Sequence, residues 1–89
     1  MTYSTLRLCS GRAAFEAVPR PKLSLDLGQI RGRLERAGIP VTDARVLLIA
    51  RMEREVTVAR DGRILIKSAD APEAARILAR LRSLIDLPA

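Results

Sequence analysis

Hydrophobic residues recur at spacings of three and four in two stretches of the chain, as they do along one face of an amphipathic helix. The first stripe consists of Leu27, Ile30, Leu34 and Ala37. Asp26 and Gln29 form a capping-box pattern at its start, and Gly38 is placed to end it in the left-handed conformation. We therefore predict a first helix between Asp26 and Gly38.

The second stripe lies near the end of the chain and is broader. It consists of Ala74, Ile77, Leu78, Leu81, Leu84 and Ile85. Asp70 and Glu73 form another capping-box pattern, and Pro72 suits the first turn because its missing N–H is not needed there. We predict a second helix that begins at Asp70.

Alternating and continuous apolar runs predict the β-strands. Residues 4–18 alternate weakly and predict one or two short strands with a break at Gly11. Two prolines within residues 19–24 mark a connector, because proline donates no ladder hydrogen bond. Residues 41–52 predict a single strand whose middle, residues 46–49, is apolar on both faces.

Residues 55–67 predict a β-hairpin whose turn residues include Asp61, Gly62 and Arg63. A two-residue Asp-Gly loop would disturb the alternation of apolar and polar positions across the two strands. A three-residue loop, with Gly62 left-handed in a bulge, keeps the apolar residues on one face. We predict this loop, and the cross-strand pairs that follow from it are Val58–Ile64, Val56–Ile66 and Glu55–Lys67.

The order of elements is strand, helix, three strands, helix, which predicts a small antiparallel β-sheet with two helices on one face. This α+β arrangement (β-α-β-β-β-α) is similar to one half of the TATA-binding-protein fold or to a ferredoxin-like two-layer sandwich. The length of 89 residues allows one core. We predict a single domain, 1–89, with an N-terminal strand region 4–18, a connector 19–24 and a core 25–86.

Catalytic groups and metal ligands are scarce in this composition. The chain has no histidine, no tryptophan and one cysteine, Cys9. Ser-His-Asp and Cys-His arrangements need histidine, and a zinc site needs three or four closely spaced ligands. The five glycines are scattered and form no phosphate loop. We predict that the protein is not an enzyme and that it holds no metal and no cofactor.

The number of cysteines and the length of the apolar runs indicate the cellular compartment of the protein. One cysteine permits no disulfide within the chain, which is typical of the reducing cytoplasm. The first residues form no basic and apolar leader, and the longest apolar run, residues 46–50, is too short to cross a bilayer. We predict a cytoplasmic protein without a membrane partner.

The chain is basic: 16 Lys and Arg against 10 Asp and Glu leave a formal charge of +6, and 14 of the 16 are arginine. The predicted helices carry a candidate basic surface that consists of Arg31, Arg33, Arg36, Arg76, Arg80 and Arg82. Tyr3 and Phe15 are the two aromatic residues, too few for a base-stacking platform. Solvated helix surface is the favoured interpretation, an acidic protein partner is another, and a small nucleic-acid-binding homodimer is the alternative function.

One sheet face is expected to remain outside the helix-covered core. The outward residues on the apolar strand are Leu47 and Ile49, or else Val46 and Leu48. If Leu47 and Ile49 face outward, they share that face with two residues of the hairpin. The candidate interface then consists of Leu47, Ile49, Thr57 and Leu65. A further strand or the proline-rich connector covering this face is an equally weighted alternative. We expect a homodimer or a hetero-complex to cover it.

Cys9 is a weak candidate for a reactive thiol. Neighbouring arginines would lower its pKa and favour the nucleophilic thiolate. The favoured interpretation is a small buried hydrophobic residue on a strand, because no second catalytic partner is visible in the sequence.

Four segments together resemble a known accessory domain. They are residues 8–14 (LCSGRAA), 25–27 (LDL), 61–67 (DGRILIK) and 70–76 (DAPEAAR). In this order they are similar to the C-terminal domain of ThiF/MoeB-type adenylyltransferases, the enzymes of thiamine and molybdopterin biosynthesis that activate a ubiquitin-like sulfur carrier. That domain has a Leu-Cys-Gly-Arg strand, a Pro-Asp-Gly-Arg hairpin and an Asp-Pro helix start.

The chain departs from that pattern at several positions. Ser10 is inserted after Cys9, Arg60 replaces proline, and Ser68-Ala69 replace Gly-Thr. The nucleotide-binding glycine-rich turn and the paired Cys-x-x-Cys zinc ligands of the catalytic domain are missing. The resemblance therefore implies a non-catalytic accessory module of a sulfur-carrier activation system. It also implies an adenylyltransferase or a ubiquitin-like sulfur carrier protein as partner.

Overall fold

A computed structural model describes residues 2–3, 7–8, 14–20 and 23–85 of the chain. The described residues form these elements, in chain order: β1 (Thr2–Tyr3), β2 (Arg7–Leu8), β3 (Phe15–Ala17), β4 (Pro19–Arg20), α1 (Leu27–Arg36), β5 (Val41–Asp43), β6 (Leu47–Arg51), β7 (Glu55–Ala59), β8 (Ile64–Ile66) and α2 (Ala71–Ile85).

The main sheet is antiparallel and has six strands in the order β2-β3-β8-β7-β6-β5. Strands β1 and β4 form a separate two-stranded sheet. The two helices contact each other, α1 also contacts β5 and β6, and α2 contacts β8. The predicted α+β class, a small antiparallel sheet with two helices, is confirmed.

One hydrophobic core fills the space between the helices and the inner face of the sheet. Alternate strand residues point into it, because successive side chains of a strand lie on opposite faces. Its buried strand residues are Ala17, Leu48, Ala50, Val56, Val58, Ile64 and Ile66. Its buried helix residues are Leu27, Ile30, Leu34, Ala74, Ile77, Leu78, Leu81 and Ile85.

Helix α1 has both of its predicted ends. The Asp26 carboxylate accepts a 3.1 Å hydrogen bond from the Gln29 N–H, which caps the first turn. Gly38 has φ +81°, and the Ile39 N–H donates to the Leu34 carbonyl at 3.0 Å. This bond belongs to a Schellman C-cap, for which glycine is favoured because it lacks Cβ.

Helix α2 starts where it was predicted, but the predicted capping box does not form. The first helical residue is Ala71, and the Asp70 carbonyl accepts the Ala74 N–H at 3.0 Å, which places Asp70 at the N-cap. The Asp70 N–H instead donates to the Ser68 hydroxyl oxygen at 3.1 Å, and Ser68 donates to Glu73 at 2.6 Å. Ser68 thus accepts the Asp70 N–H that Glu73 would accept in a capping box, and a bend at Ala69 lies between the two residues.

The prediction of one strand over residues 41–52 is wrong. The segment forms two antiparallel strands, β5 and β6, joined by a tight turn, so four strands and not three lie between the helices. Arg45 has φ +72°, and the Val46 N–H donates to the Ala44 carbonyl at 2.9 Å, which is γ-turn geometry. The Asp43 carboxylate accepts the Arg45 N–H at 2.8 Å and supports the bend.

The predicted connector is also partly wrong. Pro19–Arg20 is a strand that pairs with Thr2–Tyr3, where proline is tolerated because the pair is short and lies outside the main sheet. Two short N-terminal strands within residues 4–18 are confirmed, and the second of them, β3, joins the main sheet beside β8.

Candidate functional site

The outer face of the sheet brings together the four residues predicted as an interface. Strand register places Ile49 opposite Thr57, and Thr57 opposite Leu65 on the next strand. Leu47 lies opposite Ala59 one step nearer the turn of the β7–β8 hairpin. All five side chains are half-buried, and we call them the outer strip: Leu47, Ile49, Thr57, Ala59 and Leu65.

The structure shows which residues of the apolar strand face away from the helices, a point that the sequence left open. Leu48 is fully buried in the core, whereas Leu47 and Ile49 lie on the opposite face. Val46 belongs to neither face of a strand, because it lies in the turn before β6, and its exposed fraction is 62%. Within residues 14–20 and 23–85, both helices pack against the inner face, and neither covers the outer strip.

One end of the outer strip carries an ion-pair cluster. The Lys67 ammonium lies 2.9 Å from the Glu55 carboxylate, as the predicted cross-strand pair requires. The hydrogen bond and the charge of Lys67, with a smaller contribution from Arg51, hold the pKa of Glu55 below its usual range. This end of the strip therefore has two cations around one carboxylate.

The other end of the strip is the turn between β7 and β8. The Ala59 N–H donates to the Arg63 carbonyl at 2.9 Å, the Gly62 N–H donates to the Ala59 carbonyl at 3.0 Å, and Gly62 has φ +95°. This is the predicted three-residue loop with a left-handed glycine, and the predicted pairs Val58–Ile64 and Val56–Ile66 are confirmed. The turn is fixed further because Asp61 accepts the Arg63 N–H at 3.1 Å.

The segment before α1 lies against this turn. The Leu23 N–H donates to the Asp61 carbonyl, and the Leu25 N–H donates to the Arg60 carbonyl, both at 2.9 Å. The Arg60 N–H in turn donates to the Val46 carbonyl at 3.1 Å, so the β5–β6 turn adjoins the same place. Three chain segments thus meet at one end of the sheet.

An open pocket of about 500 Å³ lies where these segments meet. We call it the turn pocket, and its lining residues are Leu23, Ser24, Val46, Leu47, Ala59, Arg60, Asp61 and Arg63. A smaller hollow of about 140 Å³ on the outer strip shares Leu47, Ala59 and Arg63 with it. The outer strip and the turn pocket therefore form one continuous surface.

Sequence reasoning missed the pocket residues other than Leu47, Asp61 and Arg63. Leu23 was placed in a connector, and Val46 in the middle of a strand. The residue that could have indicated the turn between β5 and β6 is Asp43, because aspartate favours turns in which its side chain accepts a backbone N–H two residues on.

The six arginines of the candidate basic surface are distributed over the two helices, and two of them form ion pairs. Arg31 lies 3.5 Å from both Glu35 and Asp43, and Arg80 lies 3.1 Å from Glu53. The other four have no carboxylate within 4.0 Å in the part of the chain that the structure describes; they are Arg33, Arg36, Arg76 and Arg82.

Cys9 lies outside the described residues, as does most of the 8–14 segment of the resemblance. Among the residues that are described, no three His, Cys, Asp or Glu side chains come close enough to hold a metal ion. Neither described helix has the length and apolarity that a bilayer span needs.

Comparison with models of protein families, with curated proteins and with solved structures finds no match to this chain. The resemblance to the adenylyltransferase accessory domain therefore rests on the four sequence segments alone.

Proposed function

We propose that this chain is a non-catalytic protein-interaction module that binds a partner protein through the outer strip. The observation that carries the proposal is the strip itself, which lies on a sheet face that neither described helix covers. Leu47 and Ile49 of β6 and Leu65 of β8 share this face, with Thr57 and Ala59 of β7 between them. In antiparallel sheets with one packed face, the other face normally carries polar residues. Contiguous apolar surface on a small domain commonly marks an interaction site.

The energetic argument supports burial of the strip by a partner. Fully burying a large apolar side chain stabilises by about 1.5–3 kcal/mol relative to leaving it exposed. Each strip residue is half-buried, so a partner that covered the exposed remainder would add part of this stabilisation. A small domain buries a smaller fraction of its surface than a large one, and burial in a complex therefore adds proportionally more.

The charges around the strip favour an acidic partner. Arg51 and Lys67 lie beside Glu55 at one end, and Arg60 and Arg63 lie beside Asp61 at the other. With Glu16 opposite Leu65, four cations and three carboxylates among the described residues border the strip. Complementary charge at the rim of an interface accelerates association and suppresses wrong partners. A ubiquitin-like sulfur carrier or its adenylyltransferase, the partners implied by the resemblance, is the proposed class.

Site-specific photocrosslinking in the native host tests this proposal. A benzophenone amino acid at Thr57, in the middle of the strip, is compared with the same residue at Ala79, which is exposed on α2. We expect mass spectrometry to identify an adenylyltransferase or a ubiquitin-like sulfur carrier on the Thr57 variant and not on the Ala79 variant. Adding Ile49→Glu should abolish the adduct while the circular dichroism spectrum stays unchanged.

Two results would contradict the proposal. Equal labelling from Thr57 and Ala79 would mean that the outer strip is not the binding surface. If Thr57 crosslinked only to a second copy of the chain, the strip would be a homodimer interface, and the proposed hetero-complex would be excluded.

Nucleic-acid binding is the second candidate function, and it is favoured by the four helix arginines that have no carboxylate within 4.0 Å among the described residues. Filter binding of the chain to a DNA duplex and to single-stranded RNA across a salt series tests it. Phosphate contacts give a log affinity that falls linearly with log salt, with a slope of about −0.9 per contact on duplex DNA. Absence of binding at low salt, or a flat response, would exclude this function.

A further inference from the structure

The turn pocket has the dimensions and the wall chemistry of a binding site. Its volume of about 500 Å³ lies within the usual range for pockets that hold a small ligand or a side chain with its neighbours. Leu23, Leu47 and Ala59 supply an apolar wall, and Val46 stands at the turn with 62% of its surface exposed. Among the described residues, Val46 is the large hydrophobic residue with the greatest exposure.

The turn that presents Val46 is held in a conformation that its sequence disfavours. Arg45 adopts φ +72°, a region in which side chains with a Cβ are strained and glycine is not. The strain is maintained by the hydrogen bonds of the Asp43 carboxylate and the Ala44 carbonyl across the turn. Such strain is concentrated at binding and switch sites, so this outlier points to a role for the presented segment.

The charge at the pocket is positive. Arg60 has no carboxylate within 4.0 Å among the described residues, and its side chain is exposed at the pocket wall. The one acidic lining residue, Asp61, lies 3.8 Å from the Arg63 guanidinium and accepts the Arg63 N–H. The guanidinium of Arg60 is therefore available to a carboxylate, which it can bind through two parallel hydrogen bonds.

We infer that the turn pocket binds a peptide segment in which an apolar side chain adjoins a carboxylate. The apolar side chain contacts Leu23, Val46 and Leu47, and the carboxylate pairs with Arg60. Since Leu47 and Ala59 belong to both the pocket and the outer strip, the segment is assigned to the partner bound there. This assignment to the partner rests on the proposed function, whereas the chemistry of the segment follows from the pocket.

Nuclear magnetic resonance titration of the full chain with defined peptides tests the inference. The probe is acetyl-Gly-Glu-Leu-Asp-Gly-amide; one control peptide replaces Leu by Ser, and the other replaces Glu and Asp by Gln and Asn. We expect saturable amide shifts centred on residues 45–47 and 59–63, with roughly tenfold weaker binding for each control. Inorganic phosphate at matched ionic strength should not reproduce these shifts.

Variants identify the groups responsible. Arg60→Gln and Val46→Ser should each weaken binding of the probe peptide by roughly tenfold. Arg76→Gln, at an exposed position on α2, should leave it unchanged. Preserved amide shift dispersion in every variant shows that the fold is intact.

The inference is overturned if all three peptides bind equally, if phosphate gives the same shifts, or if the shifts spread over the helix arginines. These outcomes are separable from those of the proposed function, because Ile49 and Thr57 do not line the turn pocket. A crosslinked partner without peptide binding would overturn the pocket inference alone. Peptide binding without a crosslinked partner would leave an independent peptide site and overturn the proposed function.

Discussion

The hydroxyl of Ser68 donates a 2.6 Å hydrogen bond to the carboxylate of Glu73, five residues further along the chain. Ser68 is almost completely buried, and its oxygen also accepts the Asp70 N–H at 3.1 Å. The same carboxylate oxygen accepts a 2.9 Å hydrogen bond from the Arg54 guanidinium. Ser68 therefore links the end of β8, the start of α2 and the loop between β6 and β7.

Replacing Ser68 by alanine should destabilise the protein by about 1–2 kcal/mol, because it removes the acceptor of the Asp70 N–H and a hydrogen bond to a charged group. Urea unfolding followed by circular dichroism measures the change. Ser83→Ala is the matched control, since Ser83 is exposed within α2 and alanine is the better helix former. An equal effect of both substitutions would show that the Ser68 hydrogen bonds do not stabilise the fold.

The stability should depend on pH through Glu73. Its pKa is held below the ordinary value of 4.5, first by the Ser68 hydroxyl and then by Arg54. A depressed folded-state pKa contributes stability that is present above about pH 4.5 and is lost as the pH falls through the folded value. The stability difference between wild type and Glu73→Gln should therefore be constant near neutral pH and shrink below pH 4.5.

Carboxyl titration followed by nuclear magnetic resonance gives an independent measure of the same effect. Ser68→Ala should raise the pKa of Glu73 toward 4.5, because it removes the largest single contribution, and Arg54→Gln should also raise it, because it removes a hydrogen bond and a charge. An unchanged pKa in either variant would show that the replaced side chain does not lower it.

Adjacent residues on β6 should respond differently to truncation. Leu48 is fully buried in the core, so Leu48→Ala should cost about 2–5 kcal/mol, whereas Ile49→Ala on the outer strip should cost about 1 kcal/mol. Chemical denaturation of the isolated chain measures both. A one-residue shift of the strand would exchange the two values, so their order checks the register.

Two left-handed glycines should differ in their tolerance of alanine. A Cβ at Gly38 meets no atom within 4 Å, so Gly38→Ala should cost only the backbone strain, about 1–2 kcal/mol. A Cβ at Gly62 would lie 2.8 Å from a Pro19 side-chain carbon and 3.0 Å from one of Leu23. Gly62→Ala should therefore cost more than Gly38→Ala in the same denaturation assay, and the reverse order would contradict the packing of this turn.

The sequence by itself determined the features that depend on neighbouring residues. The ends of α1 follow from contacts within four residues of Asp26 and Gly38. The register of the β7–β8 hairpin follows from the alternation on both sides of Gly62, and with it the outward direction of Thr57 and Leu65. Such features are readable because each interaction joins positions that are close in the chain.

Only the tertiary structure decided where the chain bends without a glycine or proline, and which distant segments meet. The turn at Arg45 is maintained although its conformation is disfavoured, since it lets β5 pair with β6 and lets Val41 pack against the core. The hydrogen bond between Arg54 and Glu73 likewise depends on a contact distant in sequence, as does the meeting of Leu23, Val46 and Arg60 at the turn pocket. The common core places the segments that carry these contacts, and the free energy of its burial does not appear in any local pattern of residues.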